Sequence, residues 1–129
     1  MVTYLPTGKK PVEFMGSAQE DLSSLPKPVK YVFGYAIFLA QCGGKHADAK
    51  PLKGFGGAGV LEVVENYDGD TYRAIYTVKF EGVVYVLDAF QKKSKRGSEL
   101  PKVDMERIRL RLKAAQQHYK VTYVVKRTG

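Results

Sequence analysis

The chain has 129 residues, 44% hydrophobic and 26% charged, with a formal net charge of +8. That length is enough for one domain with a single modest core. No run approaches the ~20 apolar residues of a membrane helix, and no basic-then-apolar leader opens the chain, so a cytoplasmic protein with no membrane partner is expected. The one cysteine, Cys42, excludes an internal disulfide. Metal-ligand spacing is absent, and neither a metal nor another cofactor is expected.

The charge is local. Between Gln91 and Lys113, nine cations (Lys92, Lys93, Lys95, Arg96, Lys102, Arg107, Arg109, Arg111, Lys113) stand against Glu99, Asp104 and Glu106, so this stretch carries +6 of the net +8. Such a patch suits a polyanionic partner, nucleic acid or an acidic protein.

Residues 1–12, with Pro6, Gly8 and Pro11, show no period and read as a loose arm. Ser17-Ala18-Gln19-Glu20 has the form of a capping box and predicts a short helix to about Ser24. Pro26 and Pro28 break and restart the chain. From Val29 to Ala40, apolar residues at three- and four-residue steps predict a second helix with one broad buried face, ended by Gly43-Gly44. The loop Lys50 to Gly59 holds four glycines but matches no nucleotide-binding fingerprint, since no Gly-Lys-Ser/Thr follows and it opens no helix.

Three strand-like runs follow, Val60–Asn66, Thr71–Phe80 and Val83–Phe90, separated by Asp68-Gly69 and Glu81-Gly82 turn signals. They predict an antiparallel meander. In its middle strand a period of two puts Arg73, Ile75, Thr77 and Lys79 on a polar face open to a partner, and Tyr72, Ala74, Tyr76, Val78 and Phe80 on a core face. The third run ends in Phe90-Gln91-Lys92-Lys93-Ser94-Lys95-Arg96, a rigid strand end loaded with cations. Met105, Ile108, Leu112, Ala115 and Tyr119 then mark a closing helix, and Val121–Val125 is β-prone enough to add an edge strand within residues 120–129. The expected fold class is α+β, a single domain over residues 1–129 in which an N-terminal helical hairpin packs on an antiparallel β-meander with a C-terminal helix.

Three motifs in order carry a family resemblance: Ala49-Lys50-Pro51-Leu52-Lys53-Gly54, Asp70-Thr71-Tyr72-Arg73-Ala74-Ile75-Tyr76 and Ala89-Phe90-Gln91-Lys92-Lys93-Ser94-Lys95. Across about Glu13 to Tyr119 the sequence resembles the phage-derived branch of the RelE/HigB toxins of type II toxin–antitoxin modules. The resemblance implies a RelE-like, microbial-ribonuclease-like fold. It also implies a metal-independent endoribonuclease that cuts mRNA on the ribosome, and a cognate antitoxin of the helix-turn-helix type.

Cleavage of that kind needs a group to accept the 2′-OH proton, cations to stabilise the phosphoryl oxygens and a donor for the departing 5′-oxygen. Arg73 and Lys93 are the first candidates for charge stabilisation, a guanidinium being able to hold two phosphoryl oxygens at once. Lys92, Lys95 and Tyr76 complete the expected catalytic set, with Glu62 and Asp88 as rivals for proton transfer. Histidine is common in relatives at the position of Asp88, and its absence leaves acid and base unassigned. Lys50, Lys53, Lys79, Gln91 and Arg96 are expected to bind RNA, and Arg107, Arg109 and Arg111 a partner protein. A non-catalytic nucleic-acid-binding module, or an inactive homologue, would use the same patch.

Overall fold

A computed structural model describes residues 9–57, 59–92 and 100–124. Its elements are β1 (Val12–Phe14), α1 (Ala18–Ser23), α2 (Lys27–Gln41), β2 (Lys50–Pro51), β3 (Val60–Tyr67), β4 (Asp70–Thr77), β5 (Val84–Gln91) and α3 (Lys102–Tyr119). The fold is α+β: one sheet of order β1-β5-β4-β3-β2, antiparallel throughout except where β1 runs parallel to β5. The meander forms as its turn signals predict. Asp68 and Gly69 both take positive φ, 51° and 81°, the conformation that closes a tight hairpin.

The arm expected over residues 1–12 is fastened from Lys10 onward. Lys10 and the end of α2 bond in both directions, Lys10 N–H to the Gln41 carbonyl and Gln41 Nε2 to the Lys10 carbonyl. Val84 N–H donates to the Pro11 carbonyl, and Val12 to Phe14 pair with Val84 to Val86. Three residues are too few for a period to register, so the pairing is set by β5 and not by local sequence. The capping box is also not made. Ser17 sits at the head of α1 without capping it, and its hydroxyl instead donates to Asp21 and accepts from Arg111.

The face containing Tyr72, Ala74 and Tyr76 packs under α1 and α2, against Val29, Phe33, Ala36 and Ala40. The opposite face, expected to be open, is covered as well. Ile75, Tyr85 and Leu87 lie beneath Ile108 and Ala115 of α3, all fully buried, each large side chain contributing about 1.5–3 kcal/mol of burial. β4 is therefore a central strand with both faces inside, and Arg73 and Thr77 are 3% and 0% exposed.

A bulge lets β5 skip a step. Tyr76 pairs with Val86 and Ile75 with Asp88, leaving Leu87 as the extra residue. Leu87 and Asp88 thus both turn toward α3. At the C-terminus, Lys120–Val124 continues α3 as a wider, π-type helical turn rather than a strand. Tyr119 and Tyr123 stack there, Tyr123 donates to Glu13, and Tyr119 packs against Phe80, contacts that a strand leaving the helix would give up. His118 bonds the buried Tyr85 hydroxyl at 2.7 Å. No helix among the described residues is long and apolar enough to cross a membrane.

Candidate active site

Glu62, Ile75 and Asp88 lie in one row across β3, β4 and β5. Two strand spacings separate the backbone positions of the two carboxylates, about 10 Å. Both face the α3 side, and each is held by arginine, in different ways.

Asp88 is closed. Its side chain is 2% exposed and accepts from Arg107 Nε (2.7 Å), Arg111 Nη1 (3.2 Å) and the Ala89 N–H (3.0 Å). Arg107 also bonds Asp104 and lies over the Phe90 ring, and Arg111 also donates to the Leu87 carbonyl and to Ser17. The i,i+4 spacing puts both arginines on the inner side of α3, beside Ile108. The sequence predicts a partner surface at Arg107, Arg109 and Arg111. Arg107 and Arg111 instead clasp the sheet, and the exposed Arg109 caps Phe55. The signal was available in their spacing around the Ile108–Ala115 stripe.

Glu62 is open. It accepts from Arg73 Nη1, and its side chain is 14% exposed in a groove of about 740 Å³. Lys50, Lys53 and Gly54 line the same groove, with Leu100 and Met105 across from them. β2 puts Lys50 opposite Glu62. Gly54 has a φ of +96°, and a Cβ there would stand 2.8 Å from the Met105 methyl, so the groove wall needs glycine. Arg73 lies beneath this carboxylate, with its Nε meeting no hydrogen-bond partner among the described residues. It does not stand on the surface, as the sequence suggested, because α3 covers its face of the sheet.

Arg73 and Lys92 share a face. Arg73 pairs with Phe90, and Lys92 N–H donates to the Thr71 carbonyl, so the two are diagonal neighbours at about 7–8 Å. Gln91, opposite Tyr72, belongs to the other face and borders a separate cavity of about 610 Å³. Lys79 lies past the far end of β4, more than about 20 Å along the strand from Thr71. It does not line the groove.

Tyr76 also leaves the expected set. It points under the helices on the opposite face at 1% exposure, and burial pushes its phenol up to about 12, so it stays protonated. Lys93, Lys95 and Arg96 lie outside the described residues.

The family model of the phage-derived protein Gp49-like (DUF891) matches residues 20–113, from within α1 to within α3. The chain belongs to this family. The Gp49-like match takes in the whole groove and the Asp88 clasp, and it meets the resemblance to the phage-derived branch of the RelE/HigB toxins. No curated protein matches the chain. Among solved structures, the RelBE2 toxin–antitoxin complex of Mycobacterium tuberculosis is similar over 64% of this chain and 98% of its own, at 23% identity and a TM-score of 0.45.

Proposed function

We propose that this Gp49-like chain is the toxin half of a toxin–antitoxin module and cuts mRNA on the ribosome, its activity silenced by a helix-turn-helix antitoxin. One observation carries the chemistry. Of the three non-lysine candidates for proton transfer, Tyr76 is buried, Asp88 borders the other cavity with its oxygens taken by Arg107 and Arg111, and Glu62 reaches the open groove lined by lysines. Family membership and the +6 segment support the same reading.

In the proposed reaction the RNA backbone lies along the groove with a phosphate at Lys50 and Lys53. Glu62 takes the proton from the ribose 2′-OH, the 2′-oxygen bonds to phosphorus, and the bond to the 5′-oxygen breaks. Arg73 is a positioning residue, fixing the Glu62 carboxylate and setting positive charge below the reacting phosphate. Lys92, next along the same face, supplies the proton for the 5′-oxygen.

The locking of Asp88, where relatives often have histidine, favours a second reading in which the groove binds RNA without cutting it. Inducing wild type, Glu62→Gln and Lys53→Ala and mapping transcript 5′ ends decides between them. New ends and growth arrest are expected with the wild type and not with Glu62→Gln. Equal growth and no new ends in all strains overturn the enzymatic reading, and RNA retarded but not shortened by the purified chain establishes the binding module.

A further inference from the structure

The inner face of α2 is occupied by the core, and its outer face carries a second apolar stripe. Tyr31, Tyr35 and Phe38 recur at i, i+4 and i+7 and are 79%, 51% and 44% exposed. Between them Gly34 has nothing within 4 Å of the place a Cβ would take, which leaves a notch among the rings. Glycine inside a helix is unfavourable, so the notch carries a cost that the core does not explain.

We propose that this face docks an acidic, amphipathic helix of a partner protein, an apolar side chain of that helix filling the notch at Gly34. Lysines rim the stripe, with Asp48, whose N–H donates to the His46 that meets Tyr35, as an exception. α2 contains no acidic residue, Lys27 and Lys30 stand exposed at its start, and Lys9 lies 5.7 Å above the Phe38 ring at its end. A helix with apolar anchors at i, i+4 and i+7 and carboxylates on its flanks complements both the rings and the lysines.

A second copy of this chain does not, because an isologous contact would set like lysines against each other in a chain of net charge +8. RNA fits less well too. Lys9 stands over one face of Phe38 and His46 packs against Tyr35 at 5.8 Å, which narrows the room for bases to stack on these rings. From the proposed function this inference takes only that a partner protein, the antitoxin, exists. It moves that partner from the arginines of α3, two of which are engaged inside, to the other side of the sheet, away from the groove.

The probe is an 18-residue peptide with leucines at i, i+4, i+7 and i+11 and glutamates elsewhere, titrated into the full chain by fluorescence anisotropy. A Lys-for-Glu peptide and an oligouridylate serve as comparisons. Wild type binds the acidic peptide, and Tyr31→Ser/Tyr35→Ser/Phe38→Ser weakens it by about tenfold or more. Gly34→Gln, which fills the notch without changing charge, weakens it likewise while leaving thermal unfolding unchanged or raised. The Lys-for-Glu peptide binds at least about tenfold more weakly than the acidic one.

No binding of the acidic peptide, equal binding of both peptides, or variants that bind as the wild type does overturn the proposal. So does a triple variant that loses oligouridylate in place of the peptide, or a dimer seen in sedimentation that the variant dissolves. RNA cleavage is not read, so failure of the groove chemistry and failure of this dock are separate results.

Discussion

Glu62 and Asp88 flank the same residue, Ile75, on the same face of the same sheet, and each is paired with arginine. One is roofed by α3 and accepts from two arginines and a backbone N–H. The other lies beside the helix, above a single buried guanidinium and below a pair of lysines. Coverage, more than residue type, separates the two: the closed carboxylate ties α3 to the sheet, and the open one borders the groove.

The largest effect should come from breaking the closed side. Asp88→Ala leaves two arginines facing an empty site, and loss of one partner from a buried charge cluster costs about 3–5 kcal/mol. Urea unfolding measures it directly; a loss under about 1 kcal/mol would mean the clasp is not holding α3. Glu62→Gln keeps an acceptor for Arg73 in a partly solvated place, and should cost about 1–2 kcal/mol of stability. The same change should slow RNA cleavage by about 100- to 1,000-fold, as removal of a general base does.

The other face of β4 supplies a control. Tyr76 is held at about 12 by burial, against an ordinary value of 10, and its hydroxyl has no hydrogen-bond partner among the described residues. The folded state therefore keeps its proton more tightly than the unfolded chain. The stability tied to the neutral phenol is full below pH 10 and drains as pH rises toward 12, by up to about 2–3 kcal/mol. Tyr123 is also raised to about 12, by burial first and then by its bond to Glu13, so part of the alkaline loss remains in any Tyr76 variant. Tyr76→Phe should be neutral or stabilising by about 1 kcal/mol at pH 7, flatten the alkaline limb and leave cleavage unchanged. A drop in cleavage would return Tyr76 to the site.

The smallest effects belong to the groove rim. Lys50→Ala and Lys53→Ala should each weaken single-stranded RNA binding and reduce the slope of log affinity against log salt by about 0.7. Lys79→Ala, at the far end of β4, should leave that slope alone.

Much of this architecture was legible because it is local. The apolar spacing of Val29 to Ala40 and of Met105 to Tyr119, and the Asp68-Gly69 turn, specify helices and hairpin without reference to the rest of the chain. β1 was not, since three residues acquire their partner only from β5. The burial of Arg73 was also hidden: alternation along β4 says which residues share a face, but not that a helix more than twenty-five residues later will cover it. The bulge at Leu87 shifts Asp88 onto the α3 side, and no residue type announces that shift. At the site, Lys50, Lys53 and Glu62 were all named from sequence, but only the register of β2 against β3 brings them to one groove.

The most direct test is the chemistry of the ends. Purified chain with ribosomes translating a labelled mRNA should yield fragments with 2′,3′-cyclic phosphate or 3′-phosphate on one side of the cut and 5′-hydroxyl on the other. Glu62→Gln of normal fold should yield about 100-fold fewer. Fragments bearing 5′-phosphate and 3′-hydroxyl, or undiminished cutting by Glu62→Gln, would contradict a groove in which Glu62 takes the 2′-OH proton.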